Sequence, residues 1–134
     1  MTMTLKQYFE TASGTGVLST ADAGGKVDAA IYSTPHVMDD KTVAFIMREH
    51  LTHENIQSNP FAIYLFMENG RGHKGLRLYL KKTREDDNPE LIASMTRRHL
   101  NPELDAQKGP KYLVYFAIHK ILPLIGSGNT PVTL

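Results

Sequence analysis

The stretch richest in chemical potential runs Phe45-Ile46-Met47-Arg48-Glu49-His50-Leu51-Thr52-His53-Glu54-Asn55-Ile56. An apolar run gives way to a cation, and a short helix over His53 to Ser58 is expected to follow, with Thr52 as its N-cap. The first N–H groups of a helix have no partner inside it and carry the positive end of its dipole. Arg48, the Thr52 hydroxyl and the Asn55 amide would complete a cradle for a phosphate group. The plainer alternative is a capped helix beside a solvated arginine. Glu54 also lies in that first turn and would repel a phosphate unless turned away.

Other chemistries find less support. The chain has no cysteine, which excludes disulfides, thiolate catalysis, iron–sulfur clusters and cysteine-ligated zinc. His50 and His53 are three apart, but His36, His73, His99 and His119 fall in separate elements, and no local motif supplies a third metal ligand. Structural or surface roles are expected for them. No serine sits in a Gly-x-Ser-x-Gly turn, and the glycine fingerprints of nucleotide-binding loops are absent. A basic strip holds Arg71, His73, Lys74, Arg77, Lys81, Lys82 and Arg84, with Tyr79 interleaved. It could be read as a nucleic-acid surface. A net charge of +1 and the acidic run Glu85 to Asp87 argue against that, so a solvated strand face and no nucleic-acid partner are expected.

The elements that must position these residues follow from periodicity. A length of 134 residues predicts one domain with an adequate core. Leu5, Tyr8, Phe9 and Ala12 share one face of a helix over Thr4 to Ser13, which Gly14 and Gly16 are expected to stop. Strands are expected over Thr15 to Ala21 and Val27 to Val37, the second at an edge or bulge because Pro35 lacks an N–H. Thr42 to Met47 reads as a strand buried on both faces. Ala62 to Met67 and a returning strand flank the Asn69-Gly70 turn, with Leu76, Leu78 and Leu80 inward and Arg77, Tyr79 and Lys81 outward.

Pro89 begins a helix to about Leu100, with Leu91, Ile92, Met95 and His99 on one face. Asn101 to Pro110 reads as a loop. Lys111 to Lys120 is the last strand, apolar on both faces, and residues from about 122 to 134 form a peripheral arm. About six antiparallel strands and three small helices result, in a mainly β chain that protects its edges by closing into a barrel. Side chains fill a barrel of that size, so a ligand is expected outside it or between subunits. The two-faced last strand points to a homodimer.

In the order GVLSTADAGGKVDAAIY, VAFIM, HLTHENIQSNPFAIYLF, KGLRLYL and YLVYFAIHKILPLIG, the sequence resembles the pyridoxamine 5′-phosphate oxidase-like flavin-binding family from about Thr4 to Gly126. The resemblance implies a six-stranded antiparallel split β-barrel with FMN at a homodimer interface. It implies that Ala30, Ile31, Tyr32 and Ser33 run beside the isoalloxazine ring. Ile46, Met47 and Arg48 would lie beside the ribityl chain and phosphate, and Leu51, Thr52 and Asn55 would form the helix-start motif. That motif commonly has Lys or Arg where Leu51 stands, so Arg48 or His50 would have to supply the charge. Lys74 belongs to a loop, Gly70 to Lys74, that can approach the flavin.

The implied activity is that of an FMN-dependent oxidoreductase or electron carrier, reduced by a nicotinamide nucleotide or a partner protein. Haem or a deazaflavin in the same barrel is the rival. Pyridoxamine phosphate oxidation itself is not expected, because the basic and histidine substrate motif near the C-terminus cannot be identified. No export signal is legible in Met1 to Glu10 and no long apolar run suggests a membrane span, so a cytoplasmic location is expected.

Overall fold

The computed structural model describes residues 3–97 and 101–132. Its first helix, α1 (Leu5–Thr11), is fixed by a reciprocal cap. The Gln7 N–H donates to Thr4 Oγ1 at 3.1 Å, and the Thr4 N–H donates to Gln7 Oε1 at 2.9 Å. Seven strands follow: β1 (Gly14–Ala21), β2 (Val27–Ile31), β3 (His36–Asp39), β4 (Thr42–Arg48), β5 (Phe61–Glu68), β6 (Gly75–Asp86) and β7 (Lys111–Pro123). The remaining helices are α2 (Leu51–Ser58), α3 (Pro89–Met95) and α4 (Pro102–Gln107).

The strands form one antiparallel sheet in the order β2-β1-β5-β6-β7-β4-β3. It is mainly β architecture, as expected, but with seven strands rather than six and without closure. The extra strand comes from a break. Val27 to Val37 was expected to be continuous; instead the chain leaves β1 after Ile31, runs extended past Pro35, and pairs again with β4. One expected strand therefore becomes both free edges of the sheet, β2 and β3.

The sheet curls on itself. Phe45 on β4 and Tyr64 on β5 have β6 and β7 between them in the pairing order, yet their ring centroids lie 5.1 Å apart. Leu18, Phe45, Met47, Tyr64, Phe66 and Phe116 meet in this interior with the expected inward row of Leu76, Leu78 and Leu80.

Gly14 and Gly16 do not stop α1, which ends at Thr11; both lie in β1. Gly16 is there because the backbone is crowded. A Cβ on it would fall 1.8 Å from Tyr64 Oη and 2.6 Å from the Tyr32 carbonyl oxygen. The loop expected over Asn101 to Pro110 contains α4, capped by Asn101 with Pro102 at its first position. Its sequence lacks an apolar period because it buries nothing. α3 ends at Met95, short of Leu100, and the expected face residue His99 lies outside the described residues.

The second face of β7 is covered within the chain. Val114, Phe116 and Ile118 point into the main core, while Leu113 and Tyr115 pack with Ile92 of α3. A partner subunit is not needed to cover those positions. The arm also docks: Val132 is buried, bridges Met3 in parallel, and the Met3 N–H donates to the Pro131 carbonyl at 3.0 Å.

α2 is held to β6 and β7 by a polar cluster. The His53 ring stacks on Tyr112 at 4.1 Å between centroids, and its Nε2 lies 3.0 Å from Glu85 Oε2. Lys82 Nζ donates to Glu85 Oε1 at 2.7 Å and Gln57 Nε2 donates to it at 2.8 Å. Burial pushes the Glu85 carboxyl up, but Lys82, Gln57 and His53 outweigh it and hold it at about 2. The unfolded chain therefore takes up a proton that the folded chain refuses between roughly pH 4.5 and pH 2. Stability contributed by Glu85 is present above that window and is lost as pH falls through it. Denaturant midpoints measured from pH 6 to pH 2 are expected to decline, and less steeply in Glu85→Gln. Equal slopes in the two proteins would remove Glu85 as a source.

Candidate functional site

The break between β2 and β3 opens a cleft. The Tyr32 N–H still donates to the Gly16 carbonyl at 3.0 Å, and the Tyr64 hydroxyl donates to the Tyr32 carbonyl at 3.2 Å. Arg97 holds the rest of the linker by donating to the carbonyls of Thr34 and Pro35. β3 pairs with β4 only along Thr42 to Ala44, so the edge of β4 from Phe45 to Arg48 has no strand beside it there. Between this edge and the linker lies a cavity of about 240 Å³. Tyr32, Ser33, Phe45, Ile46 and Arg48 line it, with Thr34, His36, Thr96, Arg97, Asp105 and Lys111.

The cleft is apolar at one end and charged at the other. Tyr32 packs edge-on against Phe45 at 5.9 Å. Burial pushes the Tyr32 phenol up, a hydrogen bond with the Thr52 side chain offsets part of this, and Asp28 adds to the rise. It is therefore a neutral hydroxyl at ordinary pH. His36 is pushed down by burial and by Arg97.

At the charged end, Arg48 Nη2 lies 2.5 Å from Asp105 Oδ1, and Lys111 Nζ lies 3.0 Å from Asp105 Oδ2. Arg48 Nη1 also donates to the Gly109 carbonyl at 3.0 Å. These hydrogen bonds, Arg48's first and Lys111's second, hold the Asp105 carboxyl below its usual range. A guanidinium has more N–H donors than these bonds use.

Of the residues nominated from sequence, Tyr32, Ser33, Ile46 and Arg48 line this cleft together. Thr52 does not line the cleft, nor is it the expected N-cap. α2 starts at Leu51 with His50 in the cap position and no side-chain cap bond, and Thr52 is buried in the first turn. Asn55 is buried, and its amide donates to Thr20 Oγ1 at 3.1 Å. Met47 is buried in the core, one residue out of phase with the cleft-lining Ile46 and Arg48. Ala30 is half-buried on β2, while Ile31 and Leu51 are exposed. Lys74 sits in the β5–β6 turn and lines a different cavity with Glu68 and Ile125.

Sequence reasoning missed Arg97, Asp105 and Lys111. Lys111 becomes legible only once β4 is paired with β7, because the register sets it opposite Arg48. Arg97 falls within the expected Pro89–Leu100 helix but lies beyond the end of α3 at Met95, and Asp105 comes from a segment with no periodic signal.

The strand portion of the basic strip, Arg77 to Arg84, is engaged within the chain. Arg77 Nε donates to the Pro123 carbonyl at 2.8 Å, Arg84 lies 3.8 Å over the Tyr115 ring, and Lys81 faces Phe61. Among the described residues no group of three His, Asp or Glu side chains converges as a metal site would require. Among them, too, no helix is long and apolar enough to cross a membrane.

No protein-family model and no curated protein matches the chain. Solved structures do. An FMN-binding protein from Syntrophomonas wolfei subsp. wolfei superposes with a TM-score of 0.70 at 19% identity, over 90% of this chain and 83% of that one. A putative pyridoxamine 5′-phosphate oxidase from Lactobacillus delbrueckii matches with a TM-score of 0.65 at 15% identity, over 90% and 93%. An F420 reductase matches with a TM-score of 0.62 at 14% identity, over 81% and 88%. The chain has the fold of the pyridoxamine 5′-phosphate oxidase-like split-barrel proteins.

Proposed function

We propose that this chain is an FMN-binding homodimer that works as an oxidoreductase or electron carrier. The observation that carries the reading is the cleft at the break in the sheet, lined by Tyr32, Phe45 and Ile46 and by the cations Arg48 and Lys111. An aromatic ring system fits the first set and a phosphate the second. The likeness to an FMN-binding protein supports it.

When bound, the flavin supplies the redox chemistry, accepting electrons from a nicotinamide nucleotide or a partner protein. The chain's part is to bind, orient and shield. Tyr32 offers a neutral hydroxyl and an aromatic edge, the linker 32–35 and the unpaired edge of β4 offer backbone groups, and Arg48 with Lys111 supplies positive charge. The donor set fits the group: apolar surface, backbone polar groups and cations in one groove.

Two observations support the homodimer. At about 240 Å³ the cleft is smaller than the roughly 300–1,000 Å³ of sites that bury a small molecule, which favours a site completed by a second surface. A candidate surface is the outer face of β2, β1 and β5, where Val27, Ile31 and Phe61 are 84%, 71% and 58% exposed. Apolar clusters of this kind mark interaction sites. A second reading, a deazaflavin in place of FMN, is favoured by the likeness to the F420 reductase.

The test is titration of the purified protein with FMN, read by flavin absorbance and fluorescence. Saturable binding is expected, and Arg48→Ala should weaken it roughly 10- to 100-fold, the value of a lost charge-assisted hydrogen bond. The variant's unfolding midpoint should shift far less. Failure of the wild type to bind would sink the flavin reading. Equal losses of affinity and stability would remove Arg48 as a ligand.

A further inference from the structure

The charged end of the cleft already holds an anion. The Asp105 carboxylate bridges Arg48 and Lys111, one oxygen to each, at 2.5 Å and 3.0 Å. That is the bidentate arrangement two cations offer to any oxyanion. The segment that delivers it is otherwise loosely attached. α4 buries no residue, and Leu104 on it is 53% exposed. Besides the Asp105 bridges, its ties to the barrel include Arg48 to the Asp105 and Gly109 carbonyls. Removing those contacts would expose no fully buried side chain of α4.

We propose that Arg48 and Lys111 together form the subsite for a phosphate monoester, and that Asp105 is its built-in competitor. The carboxylate occupies the pair in the ligand-free chain, and a phosphate-bearing ligand displaces it and releases α4 from the barrel. This rests on the flavin reading above for the identity of the ligand, but not for the chemistry of the site. Arg97 lines the same cavity yet is engaged with the Thr34 and Pro35 carbonyls, so it holds the wall rather than the anion. The charges facing Asp105 include Arg48 from β4 and Lys111 from β7. Without the carboxylate the two cations, opposite each other in the β4–β7 register, would face each other unneutralised.

The consequence is selective for charge. Riboflavin, which lacks the phosphate, has no quarrel with Asp105, whereas FMN must displace it. The experiment titrates wild type and Asp105→Asn with FMN and with riboflavin. It also follows hydrogen exchange of residues 102–107 in the wild type with and without saturating FMN.

Expected are FMN affinity about 10-fold tighter in the variant, riboflavin affinity unchanged, and faster exchange across α4 when FMN is bound. Tighter FMN binding without any change in α4 exchange would show that Asp105 merely repels, and overturns displacement. Unchanged or weaker FMN binding in the variant, with normal binding by the wild type, overturns the competitor and leaves the flavin reading standing. If neither protein binds either flavin, the flavin reading falls, and inorganic pyrophosphate decides the displacement. Accelerated α4 exchange with pyrophosphate in the wild type sustains it; no change overturns it. Thermal unfolding of Asp105→Asn reports whether the variant is folded, and Asp105→Ser is the replacement should it not be.

Discussion

Gly16→Ala is expected to destabilise the protein by about 3 kcal/mol or more, read as a large drop in denaturant midpoint. The new methyl group would need to occupy space held by the Tyr64 phenol, 1.8 Å from its oxygen and 2.3 Å from the ring carbon that bears it. Tyr64 cannot swing aside, because it is fully buried and packs against Phe45 and Phe66. Its hydroxyl also donates to the Tyr32 carbonyl, which lies 2.6 Å from the same methyl position. The substitution therefore reaches the cleft wall as well as the core. Ligand binding should fall in whatever fraction stays folded. In a Tyr64→Phe background the same Gly16→Ala change should cost less, since the nearest of the three clashing atoms is gone, and a double-mutant cycle measures the difference. A cost within 0.5 kcal/mol in the wild-type background, of the order seen for neutral surface changes, would show that β1 can move away from Tyr64.

Ile31→Asp combined with Phe61→Asp should dissociate the proposed dimer, weakening it by at least about 1,000-fold. Two-fold symmetry places each new carboxylate in the interface twice, and an unpaired charge in an apolar contact costs several kcal/mol, each 1.4 kcal/mol being tenfold. The monomer should remain folded because both side chains are largely exposed in the single chain. Sedimentation velocity over a concentration series gives the association constant, and circular dichroism reports the fold. FMN affinity should fall in parallel, because Ile31 adjoins Tyr32 and Ser33 of the cleft. A variant that still sediments as a dimer would move the interface elsewhere. A monomer that binds FMN at wild-type strength would show that one protomer makes the whole site.

What the sequence disclosed was governed by side-chain alternation. Leu76, Leu78 and Leu80 were legible because every second residue of β6 faces the interior. The cleft was half-legible for the same reason: Tyr32, Ser33, Ile46 and Arg48 lie in or beside strands whose pattern could be followed. The break after Ile31 was not, because apolar alternation continues through a linker that has left its neighbour, and only the position of Pro35 hinted at it. Gly14 and Gly16 read as helix stops because a glycine tolerates both a turn and a close approach, and only their neighbours, the Met67–Glu68 backbone for Gly14 and Tyr64 for Gly16, distinguish the two. Asp105 was beyond reach. α4 buries nothing, so no periodic signal marks it, and its partners Arg48 and Lys111 converge only through the β4–β7 register.

The bridge between Met3 and Val132 has a topological consequence. The described chain starts and stops at neighbouring points, so the backbone traces a nearly closed ring around the sheet. A short covalent linker could complete that ring, and the exposed turn at Gly70 to Gly72 offers a place to cut it elsewhere. Such a circular permutant would keep every strand neighbour, the cleft and its cations. It would also turn β5 and β6, now joined through the turn from Asn69 to Lys74, into the two ends of the chain. The order in which strands are synthesised and the order in which they pair could then be varied independently.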